Sequence, residues 1–148
     1  MPFRFPLQTL LRYRQSMERQ QELRLLEANQ QVAAVRLQIE NVEQSKLALA
    51  AEERRELAAG VSAAELHFHI LLRSLLAKKR GLLDHELARC EELQRQRHAE
   101  FQRAHQDREA VTALRENQQR TYEQQESRRE QRRLDDMFLL RREFLLRR

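Results

Sequence analysis

Apolar residues recur in steps of three and four over much of this chain. Leu25, Ala28, Val32, Val35, Ile39 and Val42 follow that spacing, and Lys46 and Leu49 continue it. A second run, Leu83, Leu87, Cys90, Gln94, Arg97, Phe101, Ala104, Arg108 and Val111, has the same spacing with more polar members. Alternating steps of three and four keep one stripe of an α-helix in line, as the heptad seam of a coiled coil does, whereas a strand would alternate at every second residue. Between the runs, Leu57-Ala58-Ala59-Gly60-Val61-Ser62-Ala63-Ala64-Glu65-Leu66 reads as one helix stopping and another starting. Gly60 suits the left-handed position after a helix end, and Ser62 followed three residues later by Glu65 forms a reciprocal capping box. Val61 and Leu66 have the spacing of a hydrophobic staple. The pattern predicts helix 1 over about 7–58, a turn at about 59–62 and helix 2 over about 63–145. The expected fold is all-α: a two-stranded antiparallel coiled-coil hairpin of two long helices with a C-terminal helical overhang, forming a single coiled-coil domain over 1–148.

A connection this short makes the helices antiparallel. Folding about Gly60 places Val32 by Cys90, Val35 by Leu87, Ile39 by Leu83, Gln21 by Phe101 and Leu11 by Val111. The polar seam members Arg14, Glu18, Gln94, Arg97 and Arg108 are expected to pack their stems and keep their heads in water. Gly81 inside helix 2 costs roughly 1 kcal/mol relative to Ala and reads as a tolerated surface glycine. From about residue 115 on, helix 2 is expected to have no antiparallel mate, and 115–133 holds Tyr122 as its single apolar residue. Glu–Arg pairs such as Glu126 with Arg129 would support that stretch. Leu134, Met137, Phe138, Leu140, Phe144 and Leu145 then restore an apolar face among arginines, and an exposed end of this kind calls for a partner.

Composition sharpens this picture. Two Gly, two Pro (both before residue 7), no Trp, 5% aromatic and 34% charged residues, with a mean hydropathy of -0.84, leave a compact globular core with neither anchors nor turns. The leucines throughout separate the chain from disordered sequences. The net charge of +5 is concentrated at the C-terminus, where residues 128–148 carry eight Arg against four acidic residues. One cysteine, Cys90, cannot form an internal disulfide and fits a reducing compartment. With no long apolar run and no secretory signal, a cytoplasmic protein is expected.

No constellation for chemistry emerges. His67 and His69, two residues apart, point to different helix faces, and His98 and His105 share a face without a second type of metal ligand, so seam or solvated histidines are expected. Asp135 and Asp136 are adjacent and diverge, and two glycines cannot build a phosphate-cradling loop. The expectation is a non-enzyme with no cofactor and no metal, whose function lies in its surface.

Phe3-Arg4-Phe5-Pro6-Leu7-Gln8-Thr9-Leu10-Leu11-Arg12-Tyr13-Arg14 resembles the start of the FliJ family of flagellar type III export proteins, which begins with Phe-x-Phe and a Leu-x-Thr-Leu-Leu run. Arg128-Arg129-Glu130-Gln131-Arg132-Arg133-Leu134-Asp135-Asp136 is similar to the family's Arg-x-Gln-Lys-x-Leu-Asp-Glu segment, with Arg132 in place of Lys and Asp136 in place of Glu. The resemblance implies a stalk-like component of the flagellar export apparatus, peripheral at the inner face of the cell membrane. Its implied partners are the centre of the hexameric export ATPase FliI, whose assembly and activity it promotes, the cytoplasmic domain of the export-gate protein FlhA, and export chaperones. On that basis Arg12, Arg14, Arg128, Arg129, Gln131, Arg133 and Asp135 are the candidate ATPase-facing residues, and Phe68, Leu71 and Leu75, just after the turn, are the candidates for the gate. Nucleic-acid binding is disfavoured, because Glu130, Asp135 and Asp136 interrupt the basic stretch and no stacking platform accompanies it. The alternatives are a generic coiled-coil adaptor and a membrane-surface tether through 134–148.

Overall fold

Gln8 opens the first helix because Pro6, with its fixed φ, closes a turn in which the Gln8 N–H donates to the Phe5 carbonyl at 3.2 Å. The computed structural model describes residues 2–147. Helix α1 spans Gln8–Ala59 and helix α2 spans Ala63–Leu146, each end within a residue or so of the sequence expectation. No strand occurs among the described residues, and the fold is the all-α coiled-coil hairpin. Gly60 has a φ of 90°, the left-handed conformation that an L side chain resists. The Glu65 N–H donates to Ser62 Oγ at 3.3 Å and the Ser62 N–H donates to Glu65 Oε2 at 3.3 Å, so the capping box forms in both directions.

The chain divides into two compact units, one built from residues up to Glu18 with those from Arg103 on, the other from Arg19–Gln102. In the second, Val32, Val35, Ile39 and Val42 of α1 form one buried cluster with Leu83 and Cys90 of α2, with Leu76 and Leu87 packed against it. All three apolar pairs expected in this stretch draw their members from that cluster and the leucines packed against it. Burying each large aliphatic side chain contributes about 1.5–3 kcal/mol. The interhelical ion pairs beside it, Arg36 to Glu91 at 3.1 Å and Arg80 to Glu43 at 3.0 Å, are solvated and contribute at most about 1 kcal/mol each. The cluster therefore supplies the stability of this unit. The polar bonds, together with Gln94 Nε2 donating to Asn29 Oδ1 at 2.7 Å, choose its register.

In the other unit Leu11 is 2% exposed and Phe5 is also buried, but the seam is largely polar. Two expectations are corrected here. Arg108 and Glu18 do not send their heads to solvent: Arg108 Nε donates to Glu18 Oε2 across the seam, His105 Nδ1 lies 3.4 Å from Glu18 Oε1, and Arg14 bridges Asp107 at 3.1 Å. A carboxylate and a guanidinium that both lose water are better satisfied by each other than by bending outward. Pairing also continues beyond residue 115, since the Phe3 ring packs on Tyr122 with centroids 5.6 Å apart. The segment before α1 is not helical and so rises more per residue than a helix would, which carries Phe3 further along α2. From residue 127 to 146 every residue of α2 is exposed, and this stretch is the overhang.

The Arg108 guanidinium, bonded to the Glu18 carboxylate, holds it below the usual carboxylate range; partial burial opposes the shift and His105 assists it. A carboxyl depressed in the folded state stabilises the fold at neutral pH, and its contribution disappears as pH falls through the lowered value. Glu18→Gln is therefore expected to destabilise the protein at neutral pH and to flatten its acid unfolding, measured as urea midpoints across an acid titration. The two glycines are expected to respond with opposite sign. Gly81 sits in a helix with open space where a Cβ would go, so Gly81→Ala raises stability by about 0.5–1 kcal/mol. Gly60→Ala lowers it by about 1 kcal/mol because of the positive φ, and the urea midpoint at neutral pH checks both.

Candidate functional site: two exposed surfaces

Among the described residues no group of three or more His, Cys, Asp or Glu side chains is placed to hold a metal ion. Among the same residues no helix is long and apolar enough to cross a membrane. What the fold offers is surface, and each unit carries its own.

In the unit with the chain ends, Arg12 is exposed on α1. Arg14 is different: its bond to Asp107 and its half-buried position commit it to the seam. On α2, Arg128, Gln131, Arg133 and Asp135 are exposed, as is Arg129, which also bonds Glu126 at 2.8 Å in the pairing expected for that stretch. Arg128, Gln131 and Asp135 follow steps of three and four and so share one helix face; Arg129 and Arg133 lie on the next. The basic set wraps part of the helix and is not a single stripe.

The apolar residues after it wrap further. Leu134, Met137, Phe138, Leu139, Leu140, Phe144, Leu145 and Leu146 are all between 55% and 75% exposed. At about 100° per residue these eight side chains reach every side of the helix, with no gap wider than about 100°. Six of them have the spacing of a single face. Leu139 and Leu146 stand on the opposite side, so this is not an amphipathic helix with a wet back. Phe138, Arg141, Arg142, Leu145 and Leu146 line a shallow groove along it.

In the unit with the turn, the double leucines at 71–72 and 75–76 are resolved by the seam. Leu72 and Leu76 turn inward and are half-buried. Phe68, Leu71 and Leu75 are 59%, 56% and 62% exposed, and they form a second heptad row beside the seam row. Leu82, at 72% exposure, extends that row by one heptad. Its spacing of seven from Leu75 is the sequence signal for it. A further row on the outer side of α1, Leu23, Leu26, Leu37 and Leu47, is also exposed, and its irregular spacing hides it in sequence behind the more regular inner seam.

Neither the curated proteins nor the solved structures yield a match to this chain. A family model does: that of FliJ, described as the flagellar FliJ protein, matches residues 3–143. That span takes in the N-terminal turn, both helices and most of the exposed apolar end. The chain thus belongs to the FliJ family and is a component of the flagellar protein export apparatus.

Proposed function

We propose that the exposed end of α2 inserts into the centre of the hexameric export ATPase FliI and promotes its assembly and activity. The same chain links the ATPase to the cytoplasmic domain of the export-gate protein FlhA and to export chaperones, at the inner face of the cell membrane and without catalysis of its own. The observation that carries this reading is the all-round apolar character of residues 134–146. A bilayer surface covers one face of a helix and a groove covers part of it, whereas a ring of subunits covers every side. A single helix about 10–12 Å wide is also narrow enough for an axial opening. Arg12, Arg128, Arg129, Gln131, Arg133 and Asp135 would meet polar groups of the ring, the arginines through paired bonds to carboxylates. Arg14 acts behind them by holding the seam. The unit bearing the Gly60 turn faces the gate through Phe68, Leu71 and Leu75, to which Leu82 is added.

The test is a pull-down and ATPase assay with the cognate FliI, comparing Phe138→Ser/Leu145→Ser with Leu139→Ser/Leu146→Ser, two pairs on different sides of the helix. Both are expected to lower stimulation several-fold with the helical circular dichroism retained. Full activity of either pair means that the helix is not enclosed. Leu71→Ser with Leu75→Ser is expected to impair FlhA binding while leaving ATPase stimulation near that of the parent. The reverse pattern exchanges the two surfaces.

A further inference from the structure

The two compact units are closed by unequal amounts of apolar surface, and the one that bears the overhang has less. Among the described residues its buried apolar side chains are Phe5 and Leu11, against Ala28, Val32, Val35, Ile39, Val42, Leu83 and Cys90 in the unit with the turn. Its cross-seam bonds are polar: Arg14 to Asp107 at 3.1 Å, Arg108 Nε to Glu18 Oε2, and His105 Nδ1 at 3.4 Å from Glu18 Oε1. These five side chains keep between 21% and 55% of their exposure. Ion pairs that remain in touch with water hold weakly, and salt screens them. Beyond them the Phe3 ring on Tyr122 ends the contact.

α1 passes from one unit to the other between Glu18 and Arg19. Its part in the chain-end unit, from Gln8 to Glu18, is about three turns long. A helix shorter than about 12–15 residues does not hold by itself in water, so this part melts once its side chains leave α2. α2 loses no backbone bond in that event, because it is continuous from Ala63 to Leu146. We propose that residues 2–18 form a clasp, which opens from α2 in one cooperative step while the aliphatic cluster of the other unit stays closed. Opening lengthens the free part of α2 from 127–146 to 103–146, from about 30 Å to about 66 Å of helix at about 1.5 Å per residue. A clasp of leucines would fix α2 at one free length. Partly solvated ion pairs release it instead, and they reclose in register because Glu18 must meet Arg108 again.

The opening needs no partner, so the test is amide hydrogen exchange by NMR on the full-length chain alone, at constant neutral pH. Tyr13, Gln15 and Met17 are compared with Val32, Val35 and Ile39. The first three are expected to share one protection factor, about 100-fold below that of the second three. Raising sodium chloride from about 0.05 M to about 1 M is expected to lower the first set about tenfold further and to leave the second unchanged. Glu18→Gln is expected to lower the first set several-fold without touching the second. Glu18→Leu with Arg108→Leu replaces the ion pair by aliphatic contact, and is expected to raise the first set about tenfold and to remove most of its salt dependence. Protection that climbs residue by residue from Gln8 inward is the fraying of a helix end, and equal protection in the two sets is a single cooperative hairpin. Either result overturns the clasp, as does parental salt dependence retained in the leucine variant.

Discussion

Two helices packed against each other can bury one stripe apiece, and every other property of this protein depends on that limit. The alternating three-and-four spacing on α1 is used up by a seam whose buried members are Leu11, Ala28, Val32, Val35, Ile39 and Val42. Among the described residues no third layer covers anything outside the seam. Scattered exposed leucines on a globular domain need no explanation. Here the exposed ones are ordered, as Phe68, Leu71, Leu75 and Leu82 along one row of α2, and as eight apolar residues packed into 134–146. Ordered exposure on a fold with no spare interior is what turns the apolar surplus into an argument about partners.

The two units satisfy the seam by different physics. The unit containing the turn is closed by an aliphatic cluster, whose contribution is insensitive to salt and to modest changes of pH. The unit containing the chain ends replaces most of that cluster with Glu18, Arg108, His105, Arg14 and Asp107, and adds the ring pair Phe3–Tyr122. These groups are only partly buried, so the network contributes modestly to stability, and removing one member chiefly leaves its partner to water. Such a network specifies register more sharply than leucines do, because a shift of a few residues along the helix misplaces every charge at once. The arrangement trades stability for definition in the unit that bears the overhang.

What could be read from sequence divides along the same line. Gly60, Ser62 and Glu65 were legible because capping is chemistry within four residues, and the aliphatic pairs were legible because periodicity and one turn fix them. Three features were not. The Arg14 partner lies 93 residues away, and nothing in the local sequence distinguishes it from a solvated arginine. Phe3 precedes the helix, where no periodicity applies, so its packing on Tyr122 left no trace in the pattern. His69 shares its helix with His67, whereas the groups beside it belong to the other helix, with Nε2 2.8 Å from Glu56 Oε2 and Nδ1 3.8 Å from Glu53 Oε1. Each miss is a contact between elements made by a polar or non-periodic residue. On the candidate surfaces, Phe68, Leu71 and Leu75 stand out in sequence by their place just after the turn and by the family resemblance, and the inward turn of Leu72 and Leu76 had to be seen before the outward set was unambiguous.

A chain that acts on an enzyme without catalysis of its own, as proposed here, changes it only through contacts that differ between the enzyme's states. On the proposed reading, the contacts come from a single helix inside six equivalent subunits. A helix offers about 3.6 side chains per turn, so at any one height at least two of six subunits face no side chain from it. The next turn serves a different subset, because about 100° per residue is not a multiple of the sixfold angle. The subunits therefore cannot be equivalent while the helix is in place, however symmetric the empty ring. Apolar residues on every side make that inequality one of degree and position rather than of presence or absence of affinity, so the helix remains held while different subunits close. A one-faced amphipathic helix would instead bind permanently to one side of the ring and leave the rest untouched.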